Sequence, residues 1–82
     1  ELALIRVSAT QDNWGEINNL TQIFRARIVD VGEKAVLIEI TGEESKLNAF
    51  IDVLRPYGKL DVARSGCISM ARNPRPRSVF DK

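Results

Sequence analysis

Histidine is absent from this 82-residue sequence, and cysteine occurs once, at position 67. The imidazole and thiolate ligands of a typical zinc site therefore cannot be assembled. A lone cysteine also excludes an internal disulfide, which is typical of proteins in a reducing compartment. No aspartate-rich loop has the spacing of a calcium site. We therefore expect no metal site and no other cofactor.

Long apolar runs are also missing. None approaches the roughly 20 residues that a membrane-spanning helix needs, and residues 1–9 lack the basic leader and apolar stretch of a signal peptide. The composition, 44% hydrophobic and 28% charged, is typical of a soluble globular protein, and the length supports one domain. We expect no contact with a membrane.

Charge is unevenly distributed along the chain. The net charge is +1, but residues 72–82 carry +3 and the first 71 residues carry −2. The negative main part disfavours nucleic-acid binding. Pro74 and Pro76 exclude a helix or a sheet interior, so residues 72–82 are predicted to form an extended basic arm. Arg75, Arg77 and Phe80 could dock into an acidic groove of a partner; alternatively, the arm is disordered.

The first half of the chain has the pattern of a strand, a helix and a second strand. Apolar residues alternate over residues 1–10, which predicts a strand. Apolar residues at helical spacing then predict a helix over residues 14–25, with Asn13 and Glu16 as a capping pair. Residues 26–31 are rich in β-branched side chains and predict the next strand, which Gly32 joins to the following one in a hairpin.

The second half repeats this pattern. Residues 35–40 predict a strand, and Thr41 with Glu44 forms a second capping box before a helix. Pro56 and Gly58 end that helix, whose apolar stripe consists of Leu47, Phe50, Ile51 and Leu54. Residues 60–64 and 67–71 are two short β-like pieces joined at Ser65-Gly66, which we interpret as one strand with a bulge or bend.

This order of elements predicts an α+β fold. Two strand-helix-strand units joined by a hairpin give the ferredoxin-like βαββαβ arrangement, a four-stranded antiparallel sheet with both helices on one face. The residues expected to face the helices are Ala3, Ile5, Val7, Ala9, Val36, Ile38 and Ile40.

The other face of this sheet has an apolar centre. It would carry Leu2, Leu4 and Leu37 beside the polar residues Arg6, Ser8 and Glu39. A solvated sheet face normally alternates more cleanly towards polar residues, so we predict that another chain covers these leucines. The alternative is ordinary surface, since much of any protein's exterior is apolar.

Two further residues are ambiguous. Asp30 lies in an otherwise apolar strand, either as the interface partner of an arginine such as Arg27 or Arg64, or as a charge at a solvated edge. Trp14, the only tryptophan, is either an anchor for a ligand or partner, or a lid over the helix end.

Several blocks of the sequence resemble a known family. They include Leu2-Ala3-Leu4-Ile5-Arg6-Val7, Phe24-Arg25-Ala26-Arg27-Ile28-Val29-Asp30-Val31, Leu54-Arg55-Pro56-Tyr57-Gly58 and Met70-Ala71-Arg72. In this order they are similar to the carboxy-terminal domain of acetohydroxyacid synthase (acetolactate synthase) regulatory small subunits, over nearly the whole chain. The resemblance implies an ACT-like domain over residues 1–71 followed by the arm, and we expect the chain to be a fragment of a longer subunit.

The resemblance also implies a function. Such a domain is non-catalytic, forms a homodimer through the sheet and helps to regulate a separate thiamine-diphosphate-dependent catalytic subunit in branched-chain amino-acid biosynthesis. The compartment would be the cytoplasm, or the plastid in a plant. The preceding ACT domain of these subunits binds the effector. Here the loop of residues 10–15 lacks the Pro-Gly pair of effector-binding ACT domains, so we expect no valine site in this domain.

Three alternatives have the same topology. A free-standing homodimeric amino-acid-sensing ACT domain stays open, and calorimetry with branched-chain amino acids would distinguish it. An RNA-recognition module is disfavoured because the predicted strands hold no aromatic side chains for stacking on bases. An acylphosphatase-type enzyme is disfavoured because no nucleophile, base and orienting partner can be assembled.

Overall fold

Strands and helices follow each other in the predicted order through residues 1–65, the part of the chain that the computed structural model describes. The elements are β1 (Leu2–Ser8), α1 (Trp14–Ile23), β2 (Arg27–Val31), β3 (Ala35–Thr41), α2 (Glu44–Leu54) and β4 (Leu60–Arg64), with a 3-10 turn at Arg55–Tyr57.

The four strands form one antiparallel sheet in the order β2-β3-β1-β4. The central strand β1 pairs without interruption on both sides, so that Ile5 lies between Ile38 of β3 and Val62 of β4. The β2–β3 pairing shifts by one residue between Ile28 and Asp30, which is a bulge that the sequence did not predict. The ferredoxin-like fold is confirmed.

The core lies between the two helices and one face of the sheet. All seven residues predicted to face the helices are buried, at 7% exposure or less, and the predicted stripe of α2 is buried with them. The rings of Phe24 and Phe50 meet at a centroid distance of 5.0 Å, which joins the end of α1 to the middle of α2. Burying a single side chain of this size stabilises the folded state by about 1.5–3 kcal/mol. This layer of buried side chains therefore holds the helices on the sheet.

Helix α1 ends two residues earlier than predicted. Arg25 adopts a positive φ of 57°, and the Ala26 N–H donates to the Thr21 carbonyl at 2.8 Å. The Arg25 N–H donates to the Gln22 carbonyl at 3.0 Å. These two bonds close the helix in the manner of a Schellman motif, with an arginine where glycine is usual.

Both predicted capping boxes are wrong. The Asn13 side chain makes no cap bond, because its Oδ1 accepts the Thr10 N–H at 2.7 Å. The Glu16 carboxylate instead accepts a hydrogen bond from Tyr57. Thr41 belongs to β3, and the cap position of α2 is held by Glu43, which also makes no side-chain cap bond.

The predicted stop of α2 is confirmed. The helix gives way to the 3-10 turn that contains Pro56, and Gly58 follows with a φ of 126°, a conformation that glycine adopts without a steric penalty. Residues 67–71, Cys67 among them, and the arm with Arg75, Arg77 and Phe80 lie outside the described residues. The predicted domain boundary at residue 71 lies there too.

Candidate functional site

The sheet face opposite the helices carries the three predicted leucines. Leu4 lies between Glu39 of β3 and Ala63 of β4, and Leu2 lies opposite Thr41. Leu37 lies opposite Arg6. All three leucines are half-buried although neither α1 nor α2 covers this face. We call the surface formed by Leu2, Leu4, Leu37 and Ala63 the open face.

The charged residues around the open face pair with one another. Arg6 reaches Asp61 on the neighbouring strand at 3.7 Å, and Arg27 donates to Glu39 at 2.9 Å. Ion pairs as exposed as these contribute about 0–1 kcal/mol each, so they add little to stability. Because each pair joins a positive and a negative side chain, the apolar centre of the open face is flanked by charges that neutralise one another.

Asp30 lies on the edge strand β2, beside this face. Its Oδ1 accepts the neighbouring Val31 N–H at 3.0 Å. Arg27 is engaged with Glu39, and Arg64 donates to Asn48, so neither arginine named in the sequence analysis is placed as its partner. A hollow of about 140 Å³ beside Leu37 is bounded partly by Asp30, which leaves this carboxylate available at its rim.

Arg64 lies on the helix side of the sheet, away from the leucines. It pairs with Ala3 across the ladder, and its guanidinium donates to Asn48 Oδ1 at 2.6 Å and lies 3.6 Å from the Glu1 carboxylate. Its side chain is 22% exposed. Arg64 therefore joins β4 to α2, a position that spacing along the sequence could not reveal.

Trp14 borders a second cavity, of about 240 Å³, between the β1–α1 loop and the β2–β3 hairpin. Its side chain is 37% exposed and Val31 across the cavity is 60% exposed. Gly15 is the second residue of α1, as predicted, so it does not widen the preceding loop. The loop is held instead by the bond between Asn13 and Thr10.

A groove of about 310 Å³ runs beside β4 on the helix side. It is lined by Ile51 and Arg55 of α2 and by Leu60, Val62 and Arg64 of β4. The sequence did not reveal this groove, because the half-burial of Leu60 and Val62 and the place of β4 at the end of the described sheet are properties of the fold.

Tyr57 connects the 3-10 turn to α1. Its hydroxyl donates to Glu16 Oε1 at 2.7 Å. This hydrogen bond raises the pKa of Tyr57, and burial and the Glu16 charge raise it further. The pair lies on the helix layer, remote from the open face, and stabilises the packing of the turn.

Two features are absent from the described part of the chain, a metal-binding cluster and a membrane-spanning helix. Within residues 1–65, no three histidine, cysteine, aspartate or glutamate side chains come together as a metal site. No helix in that part of the chain is both long and apolar enough to cross a membrane.

Comparison with known proteins identifies similar sequences. A family profile described as the small subunit of acetolactate synthase matches residues 1–73. A probable acetolactate synthase small subunit from Archaeoglobus fulgidus is 54% identical over 72 residues, which cover 88% of this chain and 45% of that protein. The acetolactate synthase small subunit of Bacillus subtilis is 38% identical over 82 residues, covering 100% of this chain and 48% of its own length.

A third relative, from Mycolicibacterium smegmatis, is 45% identical over 75 residues and carries the same description. The chain thus spans just under half the length of these curated relatives. No solved structure matches it significantly.

Proposed function

The chain belongs to the family of acetolactate synthase small subunits, as their carboxy-terminal domain, and on this premise we propose that it is a non-catalytic regulatory module. In this proposal it associates with a second copy through the sheet and binds the catalytic subunit of the synthase. The observation that carries the proposal is the open face: three half-buried leucines, uncovered by either helix, among charges that already pair within the chain.

The apolar area exposed at the open face is unfavourable in water. Removing apolar surface from water lowers the free energy by about 25 cal/mol per Å². For the exposed parts of the three leucines, this gain requires a partner that covers them. A partner that covers them need not separate Arg6 from Asp61 or Arg27 from Glu39, since both pairs lie at the flanks. Docking on this face therefore avoids leaving a charge buried and unpaired.

Regulation then follows from linkage between sites. An effector bound to the preceding domain would change the affinity of the small subunit for one state of the catalytic subunit. Coupling free energies of this kind are typically about 1–3 kcal/mol. The catalytic subunit, expected to depend on thiamine diphosphate, would supply all of the chemistry. The arm of residues 72–82, with Arg75, Arg77 and Phe80, is proposed as a further contact to an acidic groove.

The test is a double substitution, Leu4→Glu with Leu37→Glu. We expect it to weaken binding of the catalytic subunit at least about tenfold, because two charges would be buried at the contact. The fold should persist, since neither side chain enters the core. Affinity is measured by surface plasmon resonance against the catalytic subunit from the same source, and folding by circular dichroism.

The matched control is Asn19→Glu with Ala49→Glu, which adds the same charge at exposed helix positions. It should bind like the unmodified chain. Equal affinities for the two double variants would refute a role for the open face.

A further inference from the structure

The register of the sheet arranges the residues of the open face in rows, with one residue from each strand. One row consists of Ala63 of β4, Leu4 of β1, Glu39 of β3 and Arg27 of β2. Arg27 Nε lies 2.9 Å from Glu39 Oε1, so the two charges of this row neutralise each other. The four side chains of the row therefore carry no net charge.

The neighbouring row carries one more negative charge than positive charges. In the same order of strands, it consists of Asp61, Arg6, Leu37 and Asp30. Arg6 lies 3.7 Å from Asp61, on the side of β4. Leu37 separates Arg6 from Asp30, and Asp30 takes part in none of the ion pairs found within residues 1–65. Among these four side chains, the Asp30 carboxylate is the charge that lacks an opposite charge in contact with it.

The Asp30 carboxylate borders a space that can hold a side chain. Its Oδ1 accepts the Val31 N–H at 3.0 Å, and within residues 1–65 no other hydrogen bond reaches this carboxylate. The hollow of about 140 Å³ that it bounds is also lined by Ala35 and Leu37, with Arg6 on the side of β1. A side chain that enters the hollow therefore meets apolar carbons and a carboxylate together.

A partner that covers Leu37 also removes water from the Asp30 carboxylate beside it. A charge that loses its water without gaining an opposite charge is strongly unfavourable. A lysine or arginine side chain of the partner would meet both requirements of the hollow. Its methylene stem can lie on Leu37 while its charged end reaches the carboxylate.

From these observations we infer that the catalytic subunit places a cationic side chain, lysine or arginine, on Leu37 and in an ion pair with Asp30. This inference rests on the proposed function for its partner and adds the residue of this chain that makes the contact selective. The leucines can pack against any apolar surface. The carboxylate discriminates against a surface that brings no cation to this position, because its charge would then be buried unpaired.

The substitution Asp30→Asn tests this contact with little change of shape. The asparagine Oδ1 can still accept the Val31 N–H, so the charge is removed and the local hydrogen bond is kept. Surface plasmon resonance against the catalytic subunit from the same source should show a dissociation constant raised about tenfold. Most of the change should be faster dissociation, because the partner's cation is left in the contact without its carboxylate. Asp30→Glu keeps the charge and should bind within about threefold of the unmodified chain.

The matched control is Asp12→Asn, which removes the same charge from the exposed β1–α1 loop. It measures long-range attraction alone and should change the dissociation constant less than about twofold, since salt screens distant charges. Circular dichroism should be the same for all variants. The inference is overturned if Asp30→Asn binds no more weakly than Asp12→Asn. It is also overturned if the loss lies only in the association rate, where a charge that merely steers the encounter acts.

Failure of this inference can be told apart from failure of the proposed function. If Leu4→Glu with Leu37→Glu weakens binding of the catalytic subunit and Asp30→Asn does not, the open face stands and the cation contact is refuted. If Asp30→Asn changes self-association by sedimentation equilibrium and leaves that binding unchanged, a second copy occupies the hollow and the inference is overturned. If the unmodified chain does not bind the catalytic subunit at all, the proposed function is refuted and the cation contact with it.

Discussion

The two faces of the sheet differ in how deeply their apolar side chains are buried, although both faces are formed by alternate residues of the same strands. On the helix side, Ala3, Ile5 and Val7 of β1 are fully buried by the protein's own helices. On the open face, Leu2 and Leu4 are only half-buried, among exposed ion pairs. The helix side is explained by folding alone. The open face exposes apolar residues that we propose a second polypeptide covers, and function is therefore sought there.

The largest expected effect separates the faces by stability. Ile5→Ala should lower the free energy of unfolding by about 2–5 kcal/mol, because it opens a cavity in a fully packed core. Leu4→Ala should cost about 1 kcal/mol or less, since only part of its side chain is buried. Urea denaturation of both variants measures the difference. Equal losses would mean that Leu4 belongs to the core and that the contrast between the faces is false.

A smaller effect concerns the charges at the flank of the open face. A double-mutant cycle on Arg27 and Glu39, each changed to alanine, should give a coupling of about 0.5 kcal/mol that weakens as salt is added. Both side chains are partly exposed, at 72% and 30%, so solvent screens the pair. A coupling above about 2 kcal/mol would assign this pair a structural role instead of local neutralisation.

The smallest expected effect concerns the pKa of Tyr57, on the helix side of the sheet. The hydrogen bond to Glu16 raises the pKa of Tyr57, with burial and the Glu16 charge acting in the same direction. The folded chain therefore keeps this proton to higher pH than the unfolded chain does. The resulting contribution to stability is complete below about pH 10 and is lost as the pH rises through the folded-state pKa.

This sign can be checked because the sequence holds one tyrosine. Titration of tyrosinate absorbance should give a lower midpoint for Glu16→Ala, which removes both the acceptor and the charge, than for the unmodified chain. Identical midpoints would remove the hydrogen bond as the cause, and neither result should change affinity for a partner at the open face.

Much of the fold was predictable because alternation and helical spacing are local signals. Ile5 and Ile38 face the core because each lies between residues that point the other way, and Gly58 stops α2 through its own backbone. The first capping box failed because Asn13 and Glu16 bond to other partners, Thr10 and Tyr57, and Tyr57 is distant in sequence. The second failed because Thr41 pairs within β3. Propensity could not anticipate that competition.

The site was predictable only in part. Leu2, Leu4 and Leu37 share the open face as expected, since strand periodicity fixes the face of each residue. The pairing of Arg27 with Glu39 depends on the register of β2 against β3, which the bulge shifts. Arg64 and its contact with Asn48 depend on how α2 lies over β4. Registers and packing angles of this kind are tertiary properties, which residue patterns do not contain.

The most direct test of the account measures the solvent accessibility of leucine methyl groups in the free chain and in its complex with the catalytic subunit. Paramagnetic relaxation by a soluble probe should be strong at Leu4 and Leu37 in the free chain and largely lost in the complex, while Leu47 of the core stays protected in both. If Leu4 and Leu37 remain equally accessible to the probe after the catalytic subunit is saturated, then the open face is ordinary surface and the account is contradicted.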